Sequence, residues 1–97
     1  MRLFEGLHLL DSISLEAGLG EVLLLDWTEA TAAVCENLVR IDAQGRVCWR
    51  LSPPDMPSCF TSISVLSDGM LKANSFNGLS VLIEPNSGKI TSTAFAK

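Results

Sequence analysis

The chain has 97 residues, 47% of them apolar and 19% charged, a balance that excludes a disordered polymer and leaves room for one small domain. A formal charge of −4 and an isoelectric point near 4.7 point away from nucleic acid, because a phosphate backbone repels such a surface. A single His, no Tyr and no glycine-rich phosphate loop remove the parts that many enzyme classes need.

In chain order, Leu3, Phe4, Leu7 and Leu10 stand at helical spacing, which suits one helical turn or an added edge strand. Ser12-Ile13-Ser14-Leu15 alternates with period two, Gly20 supplies a turn, and residues 21–27 follow as the next strand. Residues 29–36 carry helix formers. They equally begin a strand running to Ile41 with a bulge near Glu36, and the strand is preferred because residues 21–27 need an antiparallel neighbour. Residues 46–51 alternate, with Val47, Trp49 and Leu51 on one face and Arg46, Cys48 and Arg50 on the other.

Residues 52–59 contain Pro53, Pro54 and Pro57 and read as a linker, since each proline removes a backbone donor. The second half is a meander. Ile63 and Val65 alternate with serines, Asp68-Gly69 and Asn77-Gly78 are hairpin turns that need positive φ, and residues 70–76 and 79–84 are the strands between. Pro85-Asn86-Ser87-Gly88 turns the chain into a last strand over residues 89–95. The fold class is all-β: about eight antiparallel strands in two four-stranded meanders, within a single domain. Repeat 1 covers about 11–51 and repeat 2 about 60–96, with Ser12-Ile13-Ser14-Leu15 matching Ser62-Ile63-Ser64-Val65.

The charges are unevenly placed. Residues 1–36 hold seven acids and one base, whereas the remainder holds six bases and four acids. The N-terminal excess makes Glu16, Glu21, Asp26, Glu29 and Glu36 candidates for contact with a basic protein partner. Cys35, Cys48 and Cys59 are odd in number and suit neither a disulfide framework nor a metal site with closely spaced ligand pairs. Inert thiols in a reducing, cytoplasmic setting are expected, with no metal, no cofactor and no membrane span. Nothing places the cysteines beside His8, so no catalytic set is assigned.

The run Asn37-Leu38-Val39-Arg40-Ile41-Asp42-Ala43-Gln44-Gly45-Arg46-Val47-Cys48-Trp49-Arg50-Leu51 resembles the outer hairpin of a blade in quinoprotein-type and WD-repeat β-propellers. Ile83-Glu84-Pro85-Asn86-Ser87-Gly88-Lys89-Ile90 is similar. The resemblance implies two blade-like repeats, although Ser92 or Thr93 stands where the blade pattern has Trp and no WD dipeptide occurs.

Two functions compete at this level. The first is a non-catalytic protein-binding module, best understood as a small acidic inhibitor or immunity-type protein that neutralises a basic partner such as a nuclease toxin. The alternative is a ligand- or sugar-binding subunit of a homo-oligomeric β-propeller assembled from two-blade chains, with Trp27 and Trp49 at the ligand pockets.

Overall fold

The computed structural model describes residues 3–4, 6–16, 19–26, 36–54 and 58–95. Among these residues every regular element is a strand. β1 (Leu3–Phe4), β2 (Leu7–Ser14), β3 (Glu21–Leu25), β4 (Leu38–Ile41) and β5 (Val47–Leu51) form one antiparallel sheet in that order. β6 (Phe60–Val65), β7 (Leu71–Ser75), β8 (Leu79–Glu84) and β9 (Lys89–Phe95) form the second. Each sheet is a meander, so neighbours in sequence are neighbours in space. The segment between β5 and β6 carries the chain from one sheet to the other.

At the N-terminus the added strand replaces the helical turn. Gly6 takes φ +83°, reversing the chain so that Leu3 pairs with His8 and Phe4 with Leu7. The strand that pairs with β3 is β4, beginning at Leu38. The alternatives for residues 29–36 fall, apart from Glu36, outside the described residues. The strand expected over 70–76 is shorter, Leu71–Ser75. Phe76 instead opens the Asn77-Gly78 turn, its N–H donating to the carbonyl of Cys59 at 2.9 Å.

The sheets pack face to face. Val22, Leu24 and Leu38 from the first sheet meet Phe60, Ile63, Leu71, Ala73, Leu79, Val81 and Ile83 from the second, with Trp49 and Leu51 closing the side. The opposite face of the first sheet is also dry. Leu23, Leu25, Val39 and Ile41 are buried there, with Phe4, Leu7 and Leu9 packed against them. A bulge lets one strand serve both cores: Leu9 lies opposite Leu25 and Asp11 opposite Leu24, so the extra residue Leu10 shifts the phase. Leu7 and Leu9 therefore face the outer core, and Ile13 and Leu15 the inner one.

The last hairpins of the two sheets share an irregularity. Arg40 pairs with Trp49 and Ile41 with Val47, leaving Cys48 extra; Leu82 pairs with Ser92 and Ile83 with Ile90, leaving Thr91 extra. Their turns share a device as well. Asp42 Oδ1 accepts from the N–H groups of Gln44 and Arg46, both at 2.9 Å. Glu84 accepts from Asn86 at 3.0 Å and Ser87 at 2.8 Å. The first hairpins match less well. Ile13 lies opposite Val22, on the residue register of Ser64 opposite Lys72, so the serine–isoleucine likeness is one residue out of step with the pairing.

The stacking uses unlike faces. By register, Val22, Leu24, Leu38, Arg40, Trp49 and Leu51 of the first sheet correspond to Lys72, Asn74, Ser80, Leu82, Ser92 and Ala94 of the second. The first set faces the second sheet; the second set lies on the outside.

Candidate functional site

Four turns converge at one end of the sandwich: the one holding residues 15–16 and 19–20, and those at 42–46, 66–70 and 85–88. All but the turn at 42–46 contribute to a cleft of about 260 Å³ whose lining includes Ile13, Leu15, Glu16, Leu19, Val65 and Pro85. The walls are mostly apolar. Leu19 is 42% and Val65 53% exposed, so two large aliphatic side chains stand open to water at its mouth.

Arg40 holds this end together. It sits on β4 between Val39 and Ile41 and is only 7% exposed. One Nη donates to the carbonyls of Pro85 at 3.0 Å and Asn86 at 3.2 Å, and the other to that of Leu19 at 3.1 Å. A planar fork with five donors can tie two turns from different sheets, which a lysine ammonium on a flexible stem does poorly. Trp49 adds to the same junction. Its Nε1–H donates to the Pro85 carbonyl at 2.8 Å, and its ring lies over Gly88, where a Cβ would stand 2.7 Å from the ring. Gly88 also has φ +76°, so the position demands glycine twice over.

The carboxylates around the cleft divide by task. Asp42, Asp68 and Glu84 fold back on their own turns, Asp68 accepting from the Met70 N–H at 3.0 Å. The Arg46 N–H, followed by that of Gln44, holds the Asp42 carboxyl below its ordinary range; Asn86, then Ser87, does the same for Glu84. Glu16 is exposed in the cleft lining, and Glu21 begins β3 at the same end. Among the cations here, Arg46 Nε lies 3.1 Å from Asp42 and Arg40 is enclosed by carbonyls. Lys89 opens β9.

The sequence candidates do not share one face. Glu16 and Glu21 belong to the cleft end. Asp26, whose N–H donates to the His8 carbonyl at 2.8 Å, and Glu36 lie past the opposite end of β3, about 16 Å away along a five-residue strand. Glu29 and Trp27 fall outside the described residues. Trp49 packs against the inner core and lines neither this cleft nor the depression on the outer face of the second sheet.

At the far end a second polar residue joins the sheets. Asn37 is 2% exposed, and its amide donates to the carbonyls of Leu25 at 3.0 Å and Phe60 at 2.7 Å while accepting from the Phe60 N–H at 2.9 Å. Sequence reasoning assigns no role to Asn37 or Arg40. The available signal is a polar side chain inside the apolar run Asn37-Leu38-Val39-Arg40-Ile41, where solvation alone does not place one.

The outer face of the second sheet holds that shallower depression, about 410 Å³ beside Lys72, Ser80, Leu82 and Ser92. There Asn74 donates to Ser62 Oγ at 2.8 Å and accepts from Ser80, so the polar row satisfies itself. Cys48 is an exposed free thiol, whereas Cys59 is disulfide-bonded, which corrects the expectation of three free cysteines. Spacing in sequence does not report which thiols a fold brings within bonding reach. Among the described residues no three His, Cys, Asp or Glu side chains gather to hold a metal ion, and no helix is long and apolar enough to cross a membrane.

A family model described as a domain of unknown function (DUF7957) matches residues 12–95, which takes in both sheets from the second half of β2 onward. No curated protein and no solved structure matches the chain.

Proposed function

We propose that this chain, which belongs to the DUF7957 family, is a non-catalytic protein-binding module whose turn-bearing end receives a basic, partly apolar segment of a partner protein. The observation that carries this reading is the mostly apolar cleft with the exposed carboxylate of Glu16 in its lining: Leu19 and Val65 offer apolar area, while Glu16 supplies negative charge beside it. Acids of this kind contribute mainly to encounter rate and partner choice, and the aliphatic contacts to residence time. In its finer form the module is a small acidic inhibitor of immunity type, seated on the phosphate-binding groove of a basic nuclease toxin. Glu16 and Glu21 are then the contact acids among the sequence candidates, with Asp26 and Glu36 facing elsewhere.

The propeller-subunit alternative requires the outer face of the second sheet to receive another blade. Lys72, Asn74, Ser80 and Ser92 occupy that face, and Trp49 is already engaged with Gly88 and Pro85, which weighs against it.

Selection of a random-peptide display library on the immobilised protein at low salt tests the proposal. Enriched sequences are expected to combine Arg or Lys with an aliphatic or aromatic residue, and to lose binding to the Glu16→Lys and Leu19→Asp variants. Enrichment without basic residues, or binding that ignores both substitutions, would overturn it.

A further inference from the structure

The outer face of the second sheet carries two neighbouring cross-strand rows, and they differ in what they leave unused. In one, Ser62, Asn74 and Ser80 bond to one another. In the next, the register sets Ser64, Lys72, Leu82 and Ser92 side by side. Among the described residues the Lys72 ammonium has neither an ion pair nor a hydrogen bond, and the Ser92 hydroxyl is likewise uncommitted. The other described cations are engaged or placed differently. Arg40 is enclosed by carbonyls, Arg46 meets Asp42, Arg50 lies 5.8 Å from the centroid of the Phe4 ring, and Lys89 is exposed opposite Glu84.

Lys72 is half-buried and lies in the depression of about 410 Å³, where Leu66, Leu82 and Ala94 supply aliphatic surface. The acids of the adjoining turns, Asp68 and Glu84, are turned back to N–H groups of their own turns. A concave, mostly apolar patch with a few unengaged polar groups is the usual form of a small-molecule site. We propose that this depression binds a small carboxylate with a short aliphatic tail. The carboxylate accepts from the Lys72 ammonium and the Ser92 hydroxyl, which flank Leu82, and the tail lies over Leu82, Leu66 and Ala94. One ammonium matches one negative charge, whereas a phosphate calls for an arginine fork or several cations, which the lining does not hold. Side chains that make this face a poor partner for another sheet serve as donors to a small anion. The depression shares no lining residue with the cleft, so this site and the proposed partner-binding function stand or fall separately.

Titration of the isotope-labelled protein with sodium hexanoate at constant ionic strength, followed by amide shifts, tests it. Saturable shifts are expected at Lys72, Leu82 and Ser92, with a Kd of about 0.1–10 mM. Acetate, hexanol and hexylammonium each lack one of the two features and should bind about tenfold more weakly or worse. Lys72→Met should weaken hexanoate by a similar factor of about ten, while Lys89→Met, the matched exposed lysine, leaves it unchanged. Both variants alter a solvent-facing side chain, and their unchanged far-ultraviolet dichroism checks the fold. Hexanoate that gives no saturable shift at these amides overturns the proposal. So does hexanol binding as well as hexanoate, or an equal effect of the two lysine variants.

Discussion

Replacing Asn37 by Ala tests whether a single buried amide couples the two sheets. The substitution removes the acceptor for the Phe60 N–H and the donors to the carbonyls of Phe60 and Leu25, all in a region closed to water. A buried N–H left without a partner costs about 1–3 kcal/mol, and each of the two carbonyl bonds contributes about 0.5–1.5 kcal/mol, giving roughly 2–5 kcal/mol after allowing for relaxation. A domain of this size has a total stability of about 5–15 kcal/mol, so the loss is a large share of the whole. Urea unfolding followed by tryptophan fluorescence should show a lower midpoint with little change in slope, and Tm should fall by about 10–30 °C. Asn74→Ala is the matched control: that amide likewise links strands, through the side chains of Ser62 and Ser80, but on the outer face, where water replaces it, so its cost should stay below about 1 kcal/mol. Equal losses in the two variants would refute the reasoning, because it rests on burial as the difference between them.

The remaining predictions concern the turn end. Gly88→Ala should destabilise well beyond Gly45→Ala and shift the tryptophan emission, since both sites have positive φ but only the former meets the Trp49 ring; unfolding curves and emission maxima of the pair decide it. Arg40→Lys should cost about 2–4 kcal/mol and speed amide exchange in residues 15–20 and 85–88, as three carbonyls lose a shared donor fork. Exchange rates unchanged in those turns would contradict that role. Asp42 and Glu84 have lowered pKa values, so their stabilising effect is full above the ordinary values of 3.8 and 4.5 and is lost as pH falls through the folded ones. Thermal melts between pH 7 and pH 3 should therefore show a decline confined to the acid end, shallower in the Asp42→Asn, Glu84→Gln double variant.

Local chemistry makes the strands and turns readable. Asp68-Gly69, Asn77-Gly78 and Pro85–Gly88 announce themselves because few residues tolerate their backbone angles, and the alternation of residues 79–84 reports one buried face directly. What stays hidden depends on distant partners. The pattern Leu7-x-Leu9-x-Asp11-x-Ile13 looks like one continuous face until the bulge at Leu10 divides it between two cores. Arg40 and Asn37 acquire meaning only when Pro85 and Phe60 arrive from the other sheet. The acid-rich N-terminal third is visible as composition, yet β3 sends Glu21 and Asp26 to opposite ends. Alternation places Trp49 on its face, but not over Gly88.

Stacking by unlike faces gives the pair of sheets a polarity, and a polar stack must be told where to stop. Each unit offers a receiving side and a donating side, so nothing in the geometry forbids a third or fourth layer. Here growth ends in two different ways. Phe4, Leu7 and Leu9 stopper one side with the chain's own hairpin, and Lys72, Asn74, Ser80 and Ser92 make the other side indifferent to company. Restoring Val, Leu, Leu and Trp at those four positions would rebuild the adhesive surface of the first layer, and lengthening such an array becomes a matter of surface chemistry rather than of inventing a new fold.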